Sequence, residues 1–170
     1  ELSASYTKDG NAVFIAALPS TMTNIQTSIT AGSGNNGIVG NAALGNAGAS
    51  NLVYECGGGA VATITLNDVT ADTGTAIDGT AGSLTLVVNG TSDLTDATLN
   101  GVDNIVINGS LAITNAQLQV IGEANVTGAG TLNVMDLDDQ AFDSTNVGAD
   151  LTVHVTIADG VWVLNPATDL

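Results

Sequence analysis

The sequence predicts an all-β protein in which short strands stack as rungs of about 19 residues, in the manner of a β-solenoid, with antiparallel strands at the flanks. Two observations lead to this fold class. Apolar residues and turn residues recur at this spacing between positions 88 and 153. Hydrophobic residues make up 44% of the chain but aromatic residues only 3%, and such a composition of Val, Ile, Leu, Ala, Thr and Asn suits strands and tight turns.

Three columns of residues define the repeat. The columns are Val88-Asn89-Gly90, Ile107-Asn108-Gly109 and Val126-Thr127-Gly128; then Leu94, Ile113, Leu132 and Leu151; and then Leu99, Leu118 and Leu137. A stacked rung buries its apolar side chains only against the next rung, so residues of one kind are expected at fixed offsets. The spacing is not exact in the last copy, where Gly148 follows Gly128 by 20 residues. A repeat as irregular as this also fits a β-sandwich, which remains the alternative fold.

The N-terminal segment, residues 1–20, is expected to form a strand or an arm. Asp9-Gly10 is a two-residue turn signal and predicts a hairpin. Residues 11–18 are expected to form an apolar strand, and the continuous apolar run within it implies burial on both faces. Such a strand either packs under its own domain or is donated to a neighbouring copy of the chain.

The remaining chain divides into a loop segment and a repeat domain. Residues 21–51 are rich in Gly and Asn, which favours a long loop that contacts another subunit. Residues 52–170 are expected to form the β-rich repeat domain. Within it, residues 151–157 alternate between apolar and polar, and Asp159-Gly160 separates them from a last apolar run, which predicts an antiparallel pair at the C-terminal end.

The net charge of the chain limits the classes of partner that it is expected to bind. Seventeen acidic residues stand against one Lys and no Arg, giving a formal charge of −16. Because there is no basic patch to neutralise phosphates, nucleic acid is excluded as an expected partner. Membrane insertion is not expected either, since no apolar run approaches the roughly 20 residues that span a bilayer. Divalent cations are favoured.

The densest acidic cluster is a candidate calcium site. It contains Asp136, Asp138, Asp139 and Asp143. Calcium prefers several oxygen ligands from a flexible segment, and carboxylates at this spacing can converge on one ion. A solvated acidic turn is the alternative. A second candidate set is Asp93, Asp96 and Asp103.

Other candidate residues support modification more than catalysis. Asn89, Asn108 and Asn125 each begin an Asn-x-Ser/Thr triplet and are glycosylation candidates, although Asn-Gly is also a common turn at the first two. His154 is the only histidine, and the alternation of its strand turns it away from the core. A nucleophile, base and acid triad would depend on this one residue. The chain is therefore expected to have no enzymatic activity.

Residues 118–134, LQVIGEANVTGAGTLNV, resemble the Asp/Thr/Asn/Gly-rich β-repeats of bacterial S-layer proteins and giant surface adhesins, and the resemblance extends over about residues 84–157. It implies an extracellular or cell-surface structural protein, often dependent on calcium. We therefore expect a secreted, self-assembling subunit of a surface layer or an extracellular filament, whose partners are copies of itself. The alternatives are a viral structural protein, such as a capsid decoration or tail component, and a binding module of a larger adhesin.

Overall fold

The protein is described by a computed structural model. It describes the backbone of residues 2–8, 12–17, 25–31, 34–41, 50–56, 60–71, 73, 75–137, 142–157 and 160–164, and the side-chain surroundings within residues 61–71, 73, 75–137 and 142–156.

The described chain is rich in strands. In chain order they are β1 Leu2–Lys8, β2 Ala12–Ala17, β3 Ile25–Ala31, β4 Gly34–Asn41, β5 Ser50–Cys56, β6 Ala60–Asn67, β7 Ala76–Asp78, β8 Ser83–Val88, β9 Thr91–Asp93, β10 Thr98–Asn100, β11 Asn104–Ile107, β12 Ser110–Thr114, β13 Val126–Gly128, β14 Thr131–Met135, β15 Thr152–Ile157 and β16 Gly160–Leu164. Between β12 and β13 lie helix α1, Asn115–Ile121, and a 3₁₀ turn, Glu123–Asn125; a second 3₁₀ turn is Ser144–Asn146. The all-β class is confirmed in broad terms.

The strands form three sheets, and consecutive strands of the chain mostly belong to different sheets. The first sheet has the order β1-β3-β5-β7-β10, the second β13-β11-β8-β6-β4-β2, and the third β16-β15-β14-β12-β9. Neighbouring strands are parallel in all three sheets except at β15 and β16. The antiparallel pair predicted at the C-terminal end is confirmed, with His154 opposite Val163.

Two expectations for the N-terminal part are wrong. The strands on either side of Asp9-Gly10 do not form a hairpin, because β1 pairs with β3 in the first sheet and β2 with β4 in the second. The expected loop at residues 21–51 contains β3 and β4. Glycine and asparagine weaken local strand preference, but pairing with neighbouring strands on both sides overrides that preference. Strand β2 pairs within its own chain, and its donation to another copy stays a prediction.

The core is a set of apolar ladders that run across the strands of each sheet. Ile64, Leu86, Ile105 and Val126 occupy adjacent positions on four strands of the second sheet, and all four side chains are fully buried. Successive side chains of a strand alternate between its two faces. The residues directly before and after each buried ladder residue on its strand therefore point outward. Leu111, Leu132 and Val153 form an equivalent buried ladder in the third sheet.

The predicted repeat is right in its first step and shifted by two positions afterwards. Val88 lies opposite Ile107, as the predicted spacing requires, but Ile107 lies opposite Gly128 and not opposite Val126. The same longer interval recurs between β14 and β15, where Leu132 lies opposite Val153, so it is not confined to the turn that contains α1. A shift of two positions leaves each side chain on the same face of its strand. Leu132 and Leu151 are therefore buried as expected although they are not directly paired.

Helix α1 contains Leu118, the second residue of the predicted column Leu99, Leu118 and Leu137, at a place where a strand was expected. Thr114 Oγ1 accepts a hydrogen bond from Gln117 N at 3.1 Å, and Gln117 Oε1 accepts one from Thr114 N at 2.8 Å. This capping box fixes the start of the helix. Leu118 is buried in the core like Leu99 on β10, whereas Leu137 lies outside the strands and is partly buried against the core.

Candidate functional site

The carboxylates at the corners of the sheets are hydrogen-bonded to nearby threonines. The same arrangement occurs in Asp78 with Thr80, Asp93 with Thr95, and Asp143 with Thr145: one carboxylate oxygen accepts both the backbone N–H and the hydroxyl two residues later, at distances from 2.6 to 3.0 Å. An aspartate that binds the backbone two residues on stabilises a turn. These side chains therefore close corners of the chain.

These hydrogen bonds change the acidity of two of the groups. The hydroxyl of Thr80, followed by its backbone N–H, holds the pKa of Asp78 below its ordinary value. Thr145 does the same for the pKa of Asp143, again first through its hydroxyl. A donor that favours the charged form of a carboxyl makes the proton easier to lose. Both side chains are thus favoured in the ionised state.

Other carboxylates join segments that are far apart in sequence. Asp68 Oδ1 accepts from the backbone N–H of Thr91 at 2.8 Å, and Asp103 Oδ2 accepts from that of Leu84 at 2.7 Å. Glu123 accepts from the backbone N–H of Asp143 and from the side-chain amide of Asn146, both at 3.1 Å. Each of these bonds spans about one repeat interval, so the acidic side chains hold neighbouring repeats together.

The predicted calcium cluster is described in part. Asp136 is exposed and has a positive φ of 55°, and Asp143 caps the second 3₁₀ turn. Asp138 and Asp139 lie outside the described residues, so calcium binding at this cluster stays a prediction. The second set is not brought together: within the described ranges no three acidic, His or Cys residues gather into a metal site. Asp93 and Asp103 instead bind separate backbone groups, which corrects the expectation for Asp93, Asp96 and Asp103.

All three glycosylation candidates are exposed. Asn108 Nδ2 donates to Asn89 Oδ1 at 3.0 Å, and Asn125 Nδ2 donates to the carbonyl oxygen of Ile121 at 2.7 Å. Asn89 and Asn108 thus form a ladder across adjacent turns, which gives them a structural role beside the predicted one. Whether any of the three carries a glycan stays a prediction.

The histidine lies on the outer face of the third sheet. Val153 and Val155 on either side of it are buried, whereas His154 is half-buried and Thr152 is exposed. The predicted orientation of this side chain is confirmed. In the register of the sheet His154 lies beside Asn133, whose side-chain amide donates to Ser110 Oγ and to the carbonyl oxygen of Leu111.

The outer face of the second sheet is free of charge, and we call it the uncharged face. Its described residues are Val61, Thr63, Thr65, Asn67, Ser83, Thr85, Val87, Asn104, Val106 and Thr127. The six strands of this sheet contain no Asp, Glu, Lys, Arg or His at all. Val61, on β6, exposes 51% of its surface.

Comparisons with known proteins give no further guide to the site. No family model, no curated protein and no solved structure matches this chain. Among its described helical segments, none has the length and apolar character needed to cross a membrane.

Proposed function

We propose that the chain winds as a three-sided β-solenoid. Strands β7, β8 and β9 belong to the first, second and third sheets in turn, and β10, β11 and β12 repeat that order. Each strand then lies beside the one that follows a single rung later: Leu86 is opposite Ile105 and Ser92 is opposite Leu111, in both cases at the spacing of the sequence repeat. Sandwiches are usually built from antiparallel sheets, so parallel pairing favours the solenoid over the sandwich.

We further propose that the protein is a secreted, non-enzymatic structural subunit that assembles with copies of itself into a surface layer or an extracellular filament. The observation that carries this proposal is the continuous parallel stacking of strands. A solenoid presents the same kind of face along its whole length, and such extended faces suit repeated contacts between subunits. The described Asp and Glu side chains that cap corners and join repeats fit a role in rigidity rather than in chemistry.

The net charge sets the condition for assembly. At −16, separate copies repel one another, and this repulsion weakens as salt or divalent cations screen it. The subunit therefore stays soluble in dilute buffer and assembles when cations are present. Calcium acts either by general screening or by ligation at Asp136 and Asp143, and the second route is specific to calcium over magnesium.

Electron microscopy of the purified protein tests this function. Samples in low salt, in calcium and in an equal concentration of magnesium are imaged over a range of protein concentrations. We expect ordered sheets or filaments once cations are added. The double variant Asp136→Asn/Asp143→Asn requires more calcium than the wild type if the ion is ligated there. If calcium only screens charge, the variant requires the same amount or less, because it carries two fewer negative charges. Single particles at high concentration in every condition would refute self-assembly.

A further inference from the structure

We propose that the uncharged face is the surface through which two copies of this chain pack side by side. This inference rests on the proposed self-assembly and adds the surface that forms one of its contacts. A contact between identical faces joins copies in pairs, so a layer or filament also needs a second kind of contact. The second copy presents the same face, so the contact joins two sheets of identical composition.

Charge is the first argument for this face. The acidic residues whose side chains are described all lie off it: Asp68, Asp78, Asp93, Asp96, Asp103, Glu123, Asp136, Asp143 and Asp150. With one Lys and no Arg in the chain, a second copy has too few positive charges to compensate these acids. Like charges brought together in a contact cost several kcal/mol. Two copies therefore meet at least cost where neither carries charge.

The other two outer faces are less suitable for the same reason. Asp78 is on the outward side of β7 in the first sheet, and Asp93 is on that of β9 in the third. The outer face of the third sheet also carries His154. Among the strands that the structure describes, those of the second sheet alone contain no titratable residue.

The shape of the uncharged face is the second argument. In the register of the sheet Thr65, Val87, Val106 and Thr127 form one outer row, and Thr63, Thr85 and Asn104 form the row beside it. Most of these side chains are β-branched and short, so they have few rotamers to lose in a contact. The same rows continue in backbone register onto β4 and β2, which extends the sheet across six strands.

Three valines supply the apolar part of the contact. Val87 and Val106 are adjacent on β8 and β11 and keep part of their surface exposed, and Val61 is exposed at the start of β6. Threonine and asparagine on either side can exchange hydrogen bonds with the same residues of the second copy. A centre of apolar side chains with a polar surround is the usual composition of a contact between proteins.

The test is a pair of matched charge insertions. Thr63→Glu places a carboxylate on the uncharged face, and Thr98→Glu places one on β10 in the first sheet; both threonines are exposed outer residues of a strand. Val61→Glu repeats the insertion at a second exposed position of the face. Sedimentation velocity is measured over a range of protein and salt concentrations, and circular dichroism verifies that each variant is folded.

We expect the wild type and Thr98→Glu to associate at similar protein concentrations. Thr63→Glu and Val61→Glu should need at least about tenfold more protein for half-association, because a like-charge contact of about 1.4 kcal/mol already changes the equilibrium tenfold. If the wild type associates and all three variants do so equally, this inference is wrong while self-assembly stands. An equal loss in Thr98→Glu also overturns it, since the effect is then one of net charge.

Two other results would be decisive. A wild type that remains monomeric at every salt and protein concentration overturns both this inference and the proposed function. A monomeric wild type that co-sediments with an insoluble neutral polysaccharide, and loses this binding in Thr63→Glu, assigns the face to a glycan and refutes the pairing of copies.

Discussion

Replacement of Ile105 by alanine measures how much the stacked core stabilises the fold. Its side chain is fully buried between Leu86 on β8 and Val126 on β13, both of them also fully buried. The change removes three carbon groups, and at about 0.8 kcal/mol for each this costs about 2.4 kcal/mol of transfer free energy. The cavity left between two fixed neighbours adds to this cost, so the total loss should fall within about 2–5 kcal/mol.

Val106→Ala is the matched control, because Val106 is the next residue on the same strand and points to the outer face. It removes two carbon groups that are partly in water already, so we expect a loss below about 1 kcal/mol. Urea unfolding followed by circular dichroism gives the free energy of unfolding for both variants. Equal losses in the two variants would refute the assignment of inner and outer faces on β11.

Three further changes test other parts of the structure. Gly109→Ala places a Cβ against the backbone carbonyl oxygen of Gly90, so the free energy of unfolding should fall by about 1–3 kcal/mol or more. Asn108→Ala loses one exposed hydrogen bond and should cost at most about 1.5 kcal/mol. Equal costs of the two variants in urea unfolding would contradict this. Thr145→Val should raise the pKa of Asp143 toward its ordinary value in an NMR titration, and an unchanged pKa would contradict the role of the hydroxyl. Because that pKa is lowered in the folded state, the stability it contributes is present above the ordinary carboxyl pKa and is lost as the pH falls through the lowered value. Asn115→Leu should raise the free energy of unfolding by about 1–3 kcal/mol, since both side-chain amide atoms are buried without a hydrogen-bond partner, and a clear loss of stability would contradict this.

The sequence was sufficient to locate strands wherever apolar and polar residues alternate. Strands β6, β8 and β15 occur where alternation or β-branched residues predicted them, and the hairpin signal at Asp159-Gly160 correctly predicted that β15 and β16 are antiparallel. The same signal at Asp9-Gly10 failed. A turn dipeptide reports only local preference, whereas β1 and β2 each pair with a strand that is not its neighbour in the chain, and they do so in separate sheets.

The sequence-based prediction did not include helix α1 or the aspartates that cap turns, although each has a signal in the local sequence. Thr114 followed by Gln117 is the sequence pattern of a capping box, but the expectation of a strand repeat hid it. The spacing Asp-x-Thr recurs at Asp78, Asp93 and Asp143 and identifies all three as turn caps. The bonds of Asp68 and Asp103 to distant backbone groups have no such local signal, because they depend on the register between strands.

The most direct test of the stacked arrangement is a disulfide between neighbouring strands. Thr85 and Asn104 are opposite each other on β8 and β11 and both point outward, so cysteines at these positions lie within the range of a disulfide. In a Cys56→Ala background, Thr85→Cys/Asn104→Cys should form an intramolecular disulfide on mild oxidation. The control Thr85→Cys/Thr98→Cys, whose positions are on different sheets, should remain reduced. Efficient bridging in the control and none in the test pair would contradict the parallel stacking on which the proposed assembly rests.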